Sequence, residues 1–163
     1  MTVAGVVLVL VVLQRLAELL LAARNTARLR ARGAIEVGSA HYPLIVALHA
    51  AWLATLILLG WNSPVRWSWL GVFAALQLAR IWVIASLGER WTTRILVLPG
   101  APLIARGPYR FLRHPNYAVV AGEIAVLPLV FGLPLTAALF TLANAIVLAW
   151  RIRVEERALS RPN

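Results

Sequence analysis

The chain contains no cysteine, no aspartate and no lysine. Without cysteine there is no disulfide framework, no thiolate nucleophile and no thiolate metal site. Charge of either sign is scarce. Charged residues make up 13% of the sequence, where an ordinary globular domain carries about a quarter. Acid is the scarcer sign: six glutamates stand against 16 basic residues, all of them arginine, for a net charge of +10. There is no positively charged leader ahead of the first apolar run, so Val3–Ala23 is expected to be a retained span and not a cleaved signal peptide. Internal repeats and low-complexity linkers are also missing, so residues 1–163 are expected to form one membrane domain.

What the chain has in excess is apolar surface, 61% of its residues, arranged in long runs. Such runs mark membrane spans. The expected spans are 3–23, 42–60, 67–87, 117–131 and 134–150. Tyr117–Trp150 read as one helix would run about 51 Å, too long for a hydrocarbon core of about 30 Å. Gly132-Leu133-Pro134 divides it into a hairpin of two short helices. The fold class predicted is an all-α integral membrane protein of about five transmembrane helices. Seven tryptophans suit interfacial anchoring.

The arginines fall between the apolar runs. Arg24, Arg28, Arg30 and Arg32 lie in a first basic loop, Arg24–Ala40. Arg90, Arg94, Arg106, Arg110 and Arg113 lie in the long polar segment 88–116. Arg151, Arg153, Arg157 and Arg161 lie in the tail. Arg66 alone falls on the other side. The positive-inside rule then puts the N-terminus out and the C-terminus in the cytoplasm, with all three polar segments on one face. Anionic headgroups and phosphate-bearing ligands are the expected partners, and nucleic acid is not.

Several polar residues demand a reason. Arg15 and Glu18, with Gln14, share one helix face inside the first span. Arg80 lies inside the third and Glu123 inside the fourth. Charges at such depth face protein or a wet cavity. Arg15, Glu18, Arg80 and Glu123 are therefore candidate substrate contacts, the alternative being ion pairs that join spans. Glu123 either touches a polar substrate group or pairs with Arg15 or Arg80. His41 and His49 are eight residues apart, without nearby thiols or carboxylates, so hydrogen-bonding histidines are expected and no metal. Glu89–Arg94, followed by Pro99, Gly100 and Pro102, is either a cap on a cavity or a connector.

The densest polar cluster is Gly107–Tyr117. Pro115 biases His114 away from helical geometry and suits the first turn of a new helix. Arg110 and Arg113 suit a carboxylate or phosphate, Tyr109 and Phe111 suit an aromatic base, and a histidine exchanges protons near neutral pH. A basic juxtamembrane turn is the plainer reading. In the tail, Arg151, Glu155 and Glu156 would by themselves be solvated charges on an exposed helix.

Gly107-Pro-Tyr-Arg, Arg113-His-Pro-Asn-Tyr117, a helical hairpin, and then Arg151 with Glu155-Glu156 resemble the isoprenylcysteine carboxyl methyltransferase family over roughly 88–159. These are integral membrane enzymes that use S-adenosyl-L-methionine. The resemblance implies a cytoplasmic cofactor pocket with Tyr109, Arg113, His114, Pro115 and Tyr117 on one wall and Glu155 and Glu156 opposite. It also implies a lipid or lipidated small-molecule substrate entering from the bilayer. Gln14-Arg15…Glu18, Gly33-Ala-Ile-Glu36, His41-Tyr42, Trp91-Thr-Thr-Arg94 and Asn116-Tyr117…Glu123 look like a bacterial branch found beside type III polyketide synthases. That branch implies O-methylation of an alkylpyrone or phenolic lipid, with Glu123 or His114 as base and Arg113 beside it, in a bacterial inner membrane. A prenylcysteine α-carboxylate is the alternative acceptor. A non-catalytic membrane scaffold and a sterol-reductase-like enzyme are the competing classes.

Overall fold

In a computed structural model the chain is a helical bundle, described over residues 1–159. Arg161, counted above with the basic tail, lies outside the described residues. The helices are α1 (Val3–Ala31), α2 (Tyr42–Gly60), α3 (Trp67–Leu87), α4 (Pro115–Val130) and α5 (Pro134–Leu159). Four of them are long and apolar enough to cross a membrane, and α4 is a shorter apolar helix. The protein is thus an all-α integral membrane protein. Its outward faces carry the side chains a bilayer wants: Leu10, Leu13, Leu16 and Leu20 on α1, Leu58 on α2, and Leu78, Ile81 and Trp82 on α3 are all exposed.

Local chemistry sets the ends of these helices. Thr2 caps α1 by accepting from Gly5 N at 3.1 Å, and its hydroxyl donates to Trp61 O, which ties the start of α1 to the end of α2. The expected loop at Arg24–Ala31 is helical. Nothing in Arg24-Asn-Thr-Ala-Arg-Leu-Arg-Ala31 breaks a helix, and the stop comes only at Gly33, whose φ is +86°. At 29 residues α1 runs about 43 Å, so its last turns stand in the headgroup zone. Gly132 and Pro134 make the turn between α4 and α5, as read from the sequence.

One feature departs from the all-helical expectation. Ile35–Val37 (β1) pairs antiparallel with Ile95–Val97 (β2), with Glu36 opposite Leu96. The sheet is only two strands, but it fastens the α1–α2 connection to the α3–α4 connection.

Helix α4 is the innermost element and packs against α3 and α5. Tyr117, Val119, Glu123, Ile124, Leu127 and Val130 are all buried, as expected of a helix that is apolar nearly all round. The bundle is tiered along it. At one end Leu8 and Val11 of α1, Trp52 and Leu56 of α2, Phe73 of α3, and Ile124, Leu127 and Val130 of α4 form the apolar core. In the middle is a layer of charge. At the other end is the polar segment.

Candidate active site

The charged layer joins three helices. Arg80 of α3 donates from Nε and Nη2 to the two oxygens of Glu18, at 2.5 and 2.6 Å, and from Nη1 to Glu123 Oε2 at 2.7 Å. Arg15 lies 2.8 Å from Glu18 Oε2 and 3.0 Å from Glu123 Oε1. Gln14 donates to Glu18 and to Gln77 Oε1, and Gln77 donates to Glu123 Oε1 at 2.8 Å. Two guanidinium groups face two carboxylates, so the layer is neutral. The four residues expected as substrate contacts are therefore brought together, and they contact one another. Gln77 was not anticipated, although its place three residues before Arg80 puts it on the same face.

The second polar centre is a cavity of about 150 Å³ between the α3–α4 segment, the start of α4 and the exit of α5. Its walls include Trp91, Arg94, Tyr109, Arg113, His114, Asn116, Tyr117, Arg151 and Glu155. Tyr117 donates its hydroxyl to Glu155 Oε2 at 2.5 Å and accepts from Arg151 Nε at 2.9 Å. Arg151 Nη2 reaches Thr93 O at 2.9 Å. His114 stacks on Tyr117, with ring centres 5.4 Å apart. Its Nδ1 lies 3.8 Å from Glu155 Oε2 and its Nε2 3.5 Å from Glu156 Oε1. Arg113 Nη1 stands 4.0 Å from Glu156, and the Arg113 side chain is otherwise exposed. Burial, and secondarily Glu155, push the Tyr109 phenol upward, so it stays neutral.

Two local devices hold this arrangement. Pro115, buried, starts α4 and leaves His114 in a non-helical conformation (φ −130°) just before it. Gly107 starts the turn that carries Tyr109, at φ +58°, and a Cβ there would lie 2.0 Å from Ser86 Oγ. Only glycine suits that position. Asn25 of α1 donates to Trp91 O at 2.8 Å and so fixes the segment from the opposite side.

Tyr109, Arg113, His114, Pro115, Tyr117, Glu155 and Glu156 were all expected at one pocket. Tyr109, Arg113, His114, Tyr117 and Glu155 line the cavity. Glu156 stands beside His114 and Arg113, and Pro115 sets the turn beneath them. Glu123 is six residues along α4 from Tyr117, a rise of about 9 Å, and belongs to the charged layer. Arg151 was read as a solvated helix charge. It is buried and joins Tyr117 to the Thr93 backbone. Its position at the polar end of an apolar run gave no sign of this.

The chain is thus a membrane helical bundle with a charged, aromatic pocket at one end. Comparison with known proteins gives the family. The model of the isoprenylcysteine carboxyl methyltransferase (ICMT) family matches residues 69–161, and the chain belongs to that family. Its members are S-adenosylmethionine-dependent membrane methyltransferases. The chain is 42% identical to the Bacillus subtilis protein YpbQ, uncharacterized, over 156 residues, 92% of each chain. It is 31% identical to an uncharacterized Haemophilus influenzae protein over 157 residues, 90% of this chain and 88% of that one. No solved structure matches.

Proposed function

We propose that the protein is an S-adenosyl-L-methionine-dependent O-methyltransferase acting on an acidic hydroxyl of an amphiphilic lipid, of alkylpyrone or phenolic-lipid type. The observation that carries the reading is the meeting of Tyr117 and His114 with Glu155 and Arg151 around one cavity, although the two groups stand more than 30 residues apart in sequence.

The donor set fits the cofactor. Glu155 and Glu156 are acceptors for ribose hydroxyls or an ammonium group. Arg113 and Arg151 suit a carboxylate, and Tyr109, His114 and Trp91 offer aromatic faces to a base. The cavity is smaller than the roughly 300–1,000 Å³ usual for ligand sites, so binding requires it to open, and Arg113, an exposed side chain of its lining, is the residue placed to swing outward.

When bound, the cofactor supplies a methyl group on a sulfonium. The protein's part is alignment and exclusion of water. His114 is the residue we assign as base: it lines the cavity, Glu155 beside Nδ1 orients the ring, and Nε2 takes the hydroxyl proton of the acceptor, leaving an imidazolium that Glu156 stabilises. Glu123, with both oxygens occupied, acts in our reading as a positioning residue that seats α4. Arg113 balances charge at the rim. The arginine distribution supports an inner-membrane protein with this pocket on the cytoplasmic face.

Family membership supports a prenylcysteine α-carboxylate as a second acceptor class. A carboxylate needs no base, so the two acceptors differ in their demand on His114. The test is calorimetry of S-adenosylmethionine binding to detergent-purified protein beside His114→Ala, followed by methyl transfer to alkylpyrones and to prenylcysteines. Micromolar binding and pyrone methylation that falls about 100-fold in His114→Ala are expected. Well-folded protein that binds no S-adenosylmethionine refutes the reading.

A further inference from the structure

A second cavity, of about 320 Å³, lies on the other side of Thr93–Arg94 from the first. Its apolar wall is one face of α1, built from Leu19, Ala23 and Ala27 at four-residue spacing. Its polar end is Arg30, Tyr42 and Arg94, with Thr26 between the two. The alignment with the bilayer follows from α1 itself. Leu19 belongs to the lipid-exposed stretch of that helix, whereas Arg30 stands eleven residues on, about 16 Å toward and into the headgroup zone. The cavity therefore runs from hydrocarbon depth to the interface, apolar at one end and cationic at the other. Leu19 and Ala23 are themselves exposed, so the apolar end opens sideways to lipid.

The cationic end is built, not incidental. Arg94 lies over the Tyr42 ring at 4.1 Å, and its Nη1 donates to Glu36 Oε1 at 2.5 Å. Arg30 also donates to Glu36, and the Tyr42 hydroxyl meets Thr93 Oγ1 at 3.1 Å. Two guanidinium groups share one carboxylate there, so a positive charge is left over. The small sheet holds Glu36 in place from β1. Arg94 also lines the first cavity, which makes it the partition between the two.

We propose that the second cavity receives the methyl acceptor, a single-chain amphiphile with an ionised or ionisable oxygen head, its chain along Leu19 and Ala23 and its head at Arg94. The assignment rests on the methyltransferase reading above. Arg94 takes the acceptor's oxygen in partial exchange for Glu36 and presents it toward the cavity that holds His114. Arg94 is thereby the residue that selects acidic heads over neutral ones.

The experiment uses full-length protein in phosphatidylcholine nanodiscs and a long-chain fatty acid bearing a diazirine next to its carboxyl end, with the corresponding fatty alcohol as neutral control. Adducts are mapped by peptide mass spectrometry, and S-adenosylhomocysteine binding is measured by calorimetry on the same samples. Expected adducts fall in 19–30, at Tyr42 and at Thr93–Arg94, with the acid labelling roughly tenfold more than the alcohol, as befits a charge-assisted hydrogen bond. Ala23→Leu/Ala27→Leu fills the apolar wall and is expected to cut labelling about tenfold while S-adenosylhomocysteine affinity holds. Arg94→Gln adds no bulk and is expected to erase the preference for the acid. Labelling that ignores both variants, or that phosphatidylglycerol displaces better than the free acid does, overturns the assignment. If wild-type protein binds S-adenosylhomocysteine yet carries no adduct in these segments, this inference alone fails. If it binds none, the methyltransferase reading fails and takes the assignment with it.

Discussion

Arg80→Met tests what the charged layer does. Arg80 makes three hydrogen bonds, of 2.5, 2.6 and 2.7 Å, to two buried carboxylates. Removing it leaves Glu18 and Glu123 with Arg15 alone, and the layer passes from neutral to a net charge of −1 in low-dielectric surroundings. Breaking a buried pair from one side costs about 3–5 kcal/mol, because the abandoned charge cannot be solvated. In a protein of this size each kcal/mol moves the unfolding midpoint by about 2–4 °C. The expected fall is therefore about 6–20 °C, read by tryptophan fluorescence in detergent micelles. The second half of the test is Arg80→Met/Glu123→Leu. That pair removes one charge of each sign and leaves Arg15 facing Glu18, so it is expected to be more stable than the sum of the single changes by about 1–3 kcal/mol. A midpoint shift under about 3 °C for Arg80→Met would refute the reasoning, as would strict additivity in the double variant. Either result would mean that the layer is wet and that Glu123 is free for other work.

Tyr117→Phe removes the hydroxyl that joins Glu155 to Arg151 and is expected to weaken S-adenosylhomocysteine binding roughly tenfold in calorimetry; because it leaves the buried Arg151 Nε unpaired, at about 1–3 kcal/mol, it also lowers the unfolding midpoint by about 2–12 °C. Gly107→Ala puts a Cβ against Ser86 at a positive φ and is expected to cost about 1–3 kcal/mol, measured by thermal unfolding. Burial raises the Glu36 carboxyl, but Arg94 and Arg30 lower it further and hold it below the ordinary value of 4.5. A lowered folded value means that its stabilisation is present above pH 4.5 and is lost as pH falls through that lower value. Wild-type protein should therefore lose an increment of stability below pH 4.5 that Glu36→Gln does not show, measured as unfolding midpoint against pH.

The parts of the fold that the sequence announces are those set by hydrophobicity and by Pro and Gly. Apolar runs locate the helices, Pro115 starts α4, and Gly132 with Pro134 turns α4 into α5. What misleads is composition read as loop. Arg24–Ala31 looks like a basic connector because its residues are polar, yet arginine, alanine and leucine are good helix formers and α1 runs on to Gly33. The two strands escape notice for a related reason. Three residues each, Ile35–Val37 and Ile95–Val97 are too short for a period-two pattern, and their pairing closes a separation of about sixty residues that no local signal records.

The candidate site divides along the same line. His114, Tyr117 and Glu155 are visible because a proline-bounded turn and a family-like motif point to them. Arg151 is visible only as a charge. Its burial, and its reach across to Tyr117 and Thr93, depend on how α5 leaves the bundle beside α4. The intramembrane charges show the converse. Arg15, Glu18, Arg80 and Glu123 are conspicuous in a sequence because each alone is costly in lipid. Brought together, they neutralise one another, although Arg15 Nε and Nη2 keep no hydrogen-bond partner, and the cost that made them look functional becomes the force that registers α1, α3 and α4. That registration is what the site needs. Glu123 and Tyr117 ride the same helix, so any slip of α4 against Arg80 carries His114 and Tyr117 away from Glu155. On the proposed reading, an intramembrane carboxylate governs the reaction at the interface by holding its helix at one height, without contacting the reacting atoms.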